Sequence, residues 1–181
     1  MSGKRGKAQR ITRRRLFEAT AGAGLALPLS GLTGNASAAA PKKQNDLVAE
    51  ENAREGTRDW MLTRALVDAD NRRRSSRIEG YASKPSVRPG ESLKFKVSTR
   101  PASPFTIDIY RTGYYQGTGG RHMTRLGRFE GTPQEEPAVG EGRLRECAWE
   151  TSAELTIPTD WLSGVYLAKL TAEKEGAQSY I

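Results

Sequence analysis

The sequence predicts an all-β protein, an antiparallel immunoglobulin-like β-sandwich with an incomplete last strand. Three observations favour this fold. Short stretches alternate apolar and polar residues, Gly or Pro turns separate them, and about seven of them recur at roughly 10-residue spacing from residue 77 onward. Roughly 105 residues suffice for one such domain. We assign residues 1–38 to a signal peptide, disordered or helical, 39–57 to a polar linker, and 58–181 to the sandwich.

The stretch before the first strand is polar and has few large apolar side chains. Asn45 or Asp46 is suited to cap a short helix, although such a helix has little apolar surface to bury. The apolar residues at 60–62 allow two interpretations. They continue a helix, or they form an extended segment that holds Trp60 on the domain.

The predicted strands show the period-2 pattern of a sheet with one buried face. Phe105, Ile107 and Ile109 share one side of the central strand, and polar residues alternate with them. The chain ends inside the last predicted strand, so we expect it to be a fragment of a longer protein. The strands are predicted at 77–83, 92–99, 105–110, 122–129, 144–149, 153–157, 165–172 and 178–181.

A glycine-rich turn, GYYQGTGG, follows the central strand at residues 113–120. Four glycines in eight residues allow positive φ angles and close approach of another backbone. The turn is flanked by polar and aromatic side chains that no core requires. We expect this loop to contact a ligand or a partner domain through Arg111, Tyr114, Tyr115, Arg121 and His122.

Two titratable residues near this turn have a structural and a functional interpretation. His122 is a loop or strand residue unless an acidic group completes a metal site with it. Asp108 lies on the polar face of its strand, paired with Arg111 or Lys169, or it forms an ion pair that aims the glycine turn.

The single cysteine, Cys147, excludes a disulfide within the chain. Cys147 and Trp149 lie two residues apart in a predicted strand and therefore share a face. We expect Cys147 to be a buried structural thiol rather than a nucleophile.

The formal net charge of +8 is concentrated at the N-terminus. Residues 1–38 carry seven Lys and Arg against one Glu, a net charge of +6, which leaves +2 for the rest of the chain. A surface of such mixed charge attracts phosphates only weakly, so we predict no nucleic-acid partner.

The basic segment has the organisation of an export signal. The sequence TRRRLF resembles the twin-arginine motif, with Arg13 and Arg14 as its pair, and a weakly apolar run follows. Ala36 and Ala38 supply the small residues of a cleavage site before Ala39. The apolar run is shorter than the roughly 20 residues of a stable membrane span. We expect export by the twin-arginine translocase to the periplasm, cell wall or exterior, with no membrane span after cleavage.

Several segments together resemble the large (beta) subunit family of N,N-dimethylformamidase. The similarity extends over about residues 51–181. The segments that carry it are GTRDW at 56–60, IEGYAS at 78–83, TIDIYR at 106–111, the glycine turn through Arg121, and PTDWLSGVYLAKL at 158–170.

The resemblance implies an amide hydrolase whose mononuclear iron is held by two tyrosines and a glutamate in a separate catalytic domain. It implies that this chain is the non-catalytic N-terminal β-sandwich, which packs on that domain and positions it. No catalytic, metal or cofactor residue is therefore expected in this chain, and the iron belongs to the full-length parent. The alternative is a free-standing exported module that binds carbohydrate or peptide through the glycine turn.

Overall fold

The computed structural model describes residues 43–71 and 74–181. The predicted signal peptide, with Arg13, Arg14 and the cleavage residues Ala36, Ala38 and Ala39, lies outside the described residues. Within the described part, no helix is long and apolar enough to cross a membrane.

Seven strands of the described residues form two antiparallel sheets, which confirms the predicted all-β sandwich. The smaller sheet has the order β1–β2–β5 and the larger sheet the order β4–β3–β6–β7, an immunoglobulin-like arrangement of strands. One α-helix of the described residues, α1 (Gln44–Asn52), precedes them. A short helix is predicted here, but its N-cap is Lys43, so the predicted cap at Asn45 or Asp46 is wrong. The strands are β1 (Ile78–Ala82), β2 (Ser92–Thr99), β3 (Ser103–Thr112), β4 (Gly120–Gly131), β5 (Ala153–Thr156), β6 (Tyr166–Ala172) and β7 (Gln178–Tyr180).

Alternation along β3 places its apolar side chains in the core between the sheets. Phe105, Ile107 and Ile109 are buried, and each lies opposite a buried residue of β6 in register. Phe95 and Val97 of β2 belong to the same core cluster. Full burial of one such side chain contributes about 1.5–3 kcal/mol, so this cluster holds the two sheets together.

Two β-bulges in β4 change which of its residues pair with the second half of β3. The register shifts between Phe105 and Ile107 and again between Ile109 and Tyr110, and each shift adds one residue to β4. A one-residue shift turns the following side chains to the other face of the sheet. These shifts bring polar side chains of β4 beside Asp108.

Part of the segment between α1 and β1 lies on the face of the larger sheet opposite to the core. We call this part, residues 57–62, the strap. Lys169 is buried and donates hydrogen bonds to the carbonyl oxygens of Asp59 and Met61 at 2.7 and 3.0 Å. The Trp60 indole donates to the Thr118 carbonyl at 3.0 Å. The strap therefore adopts the extended interpretation of Trp60, not the helical one.

The predicted strand at 144–149 is wrong, and so is the burial of Cys147. The Tyr81 hydroxyl donates to the Cys147 carbonyl at 2.9 Å and accepts from the Trp149 N–H at 3.1 Å. These backbone groups therefore bond to a side chain instead of a strand edge. Trp149 is buried against Tyr81, whereas Cys147 is exposed.

Candidate functional site

The glycine turn connects β3 to β4 through an unusual backbone. Gly117 and Gly119 have positive φ angles of 88° and 87°, as glycines in a tight turn allow. Tyr115 and Gln116 also have positive φ angles, 37° and 56°, which side-chain-bearing residues seldom adopt. The Thr118 hydroxyl donates to the Tyr115 carbonyl at 2.8 Å and helps to hold this conformation. The strained backbone turns Tyr115 inward.

Glu51 of α1 is the centre of a buried polar cluster beneath the turn. Its residue surface is 3% exposed, and Oε1 accepts hydrogen bonds from the Tyr115 hydroxyl at 2.8 Å and from Arg121 Nε at 2.7 Å. Burial opposes ionisation of Glu51, but the hydrogen bonds from Arg121 and Tyr115 outweigh it and lower its pKa. Glu51 is therefore a structural anion at neutral pH.

Arg111 extends the cluster toward the loop before β6. Its Nη1 donates to the Tyr115 hydroxyl and its Nη2 to the Ser163 carbonyl, both at 3.0 Å, while its Nε has no partner among the described residues. Gly164 lies so close that a Cβ there would be 3.0 Å from Arg111 Nε. We call Glu51, Tyr115, Arg111 and Arg121 the Glu51 cluster.

A second polar cluster surrounds Asp108 on the strap side of β3. Asp108 Oδ1 accepts from His122 Nε2 at 2.9 Å and from Arg125 Nε at 2.8 Å, and Oδ2 accepts from Arg125 Nη2 at 2.9 Å. Burial opposes ionisation of Asp108, but the bonds from Arg125 and His122 outweigh it and lower its pKa. His122 is a strand residue of β4, and its partner is this carboxylate.

Asp108 forms an ion pair within the domain, as one of its two interpretations predicts, but the partner is Arg125, and the predicted partners Arg111 and Lys169 are wrong. Arg111 is three residues away along β3, so its side chain points to the opposite face of the sheet. Lys169 does lie opposite Asp108 in the β3–β6 register, but its ammonium group donates to carbonyls of the strap.

Neither cluster is arranged for proton transfer or for binding iron. A general acid or base works best with a pKa near the operating pH, whereas Glu51 and Asp108 are both held ionised. Iron does not fit between Glu51 and Tyr115, because Arg121 and Arg111 already donate to their oxygens and would repel a cation. In the part of the chain that the structure describes, no group of three His, Cys, Asp or Glu side chains could hold a metal.

The five residues expected to form a contact surface separate into two groups. Arg111 and Tyr115 are 4% and 0% exposed and bond within the domain, so the prediction that they contact a partner is wrong. Tyr114 is 70% exposed at the surface of the turn, and its N–H donates to Asn52 Oδ1 at 2.9 Å. A contact role for Tyr114, Arg121 and His122 stays a prediction.

Sequence reasoning missed Glu51 and Gly164 as parts of this site. Glu51 lies on a short polar helix with no apolar stripe that would indicate a buried face. A buried acid on such a helix gives no signal in hydropathy, and its partner Arg121 is 70 residues away.

Comparison with known families finds a match for part of the chain. Residues 106–181 match the family model described as N,N-dimethylformamidase beta subunit-like, C-terminal. Neither a curated protein nor a solved structure was found to match the chain. The matched part extends from β3 to β7 and includes the glycine turn, Asp108 and Arg121, but not Glu51.

The match confirms the resemblance predicted from the sequence over these residues. The placement of the segment in the N-terminal part of the family's large subunit stays a prediction, since the description of the matched model refers to a C-terminal part. From β3 to its last residue, the chain is thus similar to the N,N-dimethylformamidase beta subunit-like family.

Proposed function

We propose that this chain is the non-catalytic β-sandwich of an exported amide hydrolase that resembles N,N-dimethylformamidase. In this proposal it packs on a catalytic domain and positions it, and that domain carries the iron. The family match over residues 106–181 is the observation that carries the proposal.

The state of the polar clusters supports a structural role for this domain. The carboxylates of Glu51 and Asp108 are buried, ionised and hydrogen-bonded to arginine side chains. Their bonds join α1, the glycine turn, β3 and β4 into one unit. Such clusters give a rigid surface, which is what a positioning domain needs.

The surface beside the glycine turn is the docking face that we propose. Tyr114 is 70% exposed there. An exposed tyrosine on a rigid turn is a typical anchor of protein interfaces. The same exposed ring would serve the alternative function, a free-standing module that binds carbohydrate or peptide.

Amide hydrolysis by this chain, and by the longer protein that the proposal implies as the complete product of its natural gene, tests the proposal. Both proteins are supplied with ferrous iron, and release of dimethylamine from N,N-dimethylformamide is measured. We expect the complete product to release the amine and the 181-residue chain to release none. Hydrolysis by the chain alone would overturn the proposed division of labour, and inactivity of both would reject the amide-hydrolase assignment.

We also propose export by the twin-arginine translocase before cleavage ahead of Ala39. The motif around Arg13 and Arg14 supports this. Replacing both by lysine should retain the protein in the cytoplasm, as measured by cell fractionation. Arg10→Lys, which preserves the charge outside the motif, is the control, and equal export of both variants would refute the route.

A further inference from the structure

We propose that the open end of the sandwich is a binding site for an amphipathic carboxylate, a straight-chain fatty acid. A cavity of about 860 Å³ lies there, bordered by the β1–β2 connection at 83–91 and by the corner at 158–165. This volume is within the range of small-molecule sites in proteins. The proposal goes beyond the proposed function and does not depend on it.

The cavity has apolar walls from both sheets. Leu93 and Phe95 of β2 line it from the smaller sheet, and Ile109 of β3 lines it from the larger. Trp161 and Tyr166 complete the wall as a stacked pair, with ring centroids 5.0 Å apart and planes 7° apart. Such a wall suits a hydrocarbon chain.

Hydrogen bonds hold the walls of the cavity in place. The Tyr166 hydroxyl donates to the Leu162 carbonyl at 2.6 Å, which fixes the stacked pair to the corner. The N–H of Gly90 donates to the Ile157 carbonyl at 2.8 Å, and the Ile157 N–H donates to the Glu91 carbonyl at 2.9 Å. The cavity is thus a preformed site, which limits the entropy lost on binding.

The open space is unusual for the interior of a domain. Protein interiors are close-packed, and unfilled apolar space is destabilising. Here Val165, at the cavity wall, remains 65% exposed, and Trp161 and Leu93 are only half-buried. Water in contact with these walls would be released by an apolar ligand, and that release favours binding.

The charge around the cavity selects the head group of the ligand. Lys84 and Arg88 are exposed and line the cavity, and no Asp or Glu side chain is among its lining residues. Lys84 lies 3.9 Å from Glu91, while the guanidinium of Arg88 has no acid partner among the described residues. A planar guanidinium binds a carboxylate through two parallel hydrogen bonds. Apolar walls, with Lys84 and Arg88 as the charged side chains of the lining, therefore fit a fatty carboxylate.

Calorimetric titration of the 181-residue chain with decanoate tests this site, and decyltrimethylammonium serves as the ligand of opposite charge. Both are used below their micelle concentrations. We expect submillimolar binding of decanoate and at least tenfold weaker binding of the cation. The double variant Lys84→Glu and Arg88→Glu should weaken decanoate binding at least tenfold. Arg58→Glu, an exposed change on the strap away from the cavity, should leave it unchanged.

A substitution in the cavity wall tests the site independently of the exposed cations Lys84 and Arg88. Val165→Asp adds a negative charge at an exposed wall position and should abolish decanoate binding without unfolding the chain. Equal binding of the two surfactants, or no heat from millimolar decanoate at each of two temperatures, would overturn the proposal. A dimer in sedimentation equilibrium that persists in the presence of decanoate would also overturn the proposal. A second copy of the chain would then fill the cavity.

Discussion

The Tyr115 hydroxyl donates a hydrogen bond of 2.8 Å to the Glu51 carboxylate and thereby ties the glycine turn to helix α1. The two residues are 64 positions apart in the chain. Arg111 and Arg121 donate to the same pair of side chains, so each of the two cations has an acceptor inside the domain. The polar residues around the glycine turn therefore act first as the internal support of that turn.

Glu51→Gln should destabilise the domain by about 2–3 kcal/mol, because Arg121 loses a buried charged acceptor. The measurement is urea denaturation followed by tryptophan fluorescence. Glu55→Gln changes an exposed acid just after α1 and should lower the free energy of unfolding by less than about 0.5 kcal/mol. Equal losses in the two variants would show that the Glu51 cluster does not stabilise the fold.

The ion pair of Asp108 with Arg125 predicts how the free energy of unfolding depends on pH. The pKa of Asp108 is lower in the folded chain than in the unfolded chain, so the unfolded state binds more protons in acid. The contribution of Asp108 to the free energy of unfolding is therefore complete above the pKa of the unfolded chain, about 3.9. This contribution is lost as the pH falls through the lower pKa of the folded chain.

Asp108→Asn should flatten this acid dependence, with a smaller fall in the thermal midpoint between pH 5 and pH 3, a window of about one unit on either side of the unfolded pKa. Differential scanning calorimetry across this range makes the measurement. Asp70→Asn, which changes an exposed acid, should follow the parent protein. An Asp108→Asn variant as steeply pH-dependent as the parent would refute the assignment.

Gly164→Ala should destabilise the domain by about 1–3 kcal/mol through overpacking. The new Cβ would lie 3.0 Å from Nε and Nη2 of Arg111, whose guanidinium is held by Tyr115 and Ser163 and cannot move away. Gly127→Ala is the matched control, since nothing lies within 4 Å of its Cβ position. That change in β4 should be neutral or stabilise by about 0.5 kcal/mol.

Urea midpoints of the two glycine variants decide this prediction. A Gly164→Ala protein as stable as Gly127→Ala would mean that the Arg111 guanidinium can shift. Its Nε, which has no hydrogen-bond partner among the described residues, would then not be held against the loop before β6. A loss confined to Gly164→Ala would establish that the loop before β6 is packed on this guanidinium.

The period-2 pattern was enough to predict most of the fold. It placed β2 at its observed bounds and β3 around Phe105 and Ile109, because alternation reports directly which face of a strand is buried. It failed at 144–149, where the side chain of Tyr81, far away in sequence, binds the backbone that a strand partner would have used.

The candidate site was only partly predictable, because its geometry depends on long-range pairs. The sequence indicated the glycine turn and its polar neighbours, yet it could not show that Tyr115 turns inward while Tyr114 stays exposed. That difference arises from two positive φ angles and from Glu51, which local patterns do not report. The β4 register shifts that bring Arg125 to Asp108 were equally invisible.

Tyr114→Ala tests the proposed docking face beside the turn. The side chain is 70% exposed, so the free energy of unfolding of the isolated chain should change by less than about 0.5 kcal/mol. In the product of the complete gene, the loss of an aromatic anchor should reduce kcat/KM for amide hydrolysis at least tenfold, since truncated hot-spot residues lower interface affinity by about 2 kcal/mol or more.

Val139→Ala is the matched control for that experiment, because Val139 is 55% exposed and belongs to the long loop between β4 and β5. It should alter neither stability nor hydrolysis. A Tyr114→Ala enzyme with unchanged kcat/KM would move the contact with the catalytic domain away from the glycine turn. A Tyr114→Ala chain that unfolds at lower urea would instead assign Tyr114 to the support of the turn, together with Tyr115.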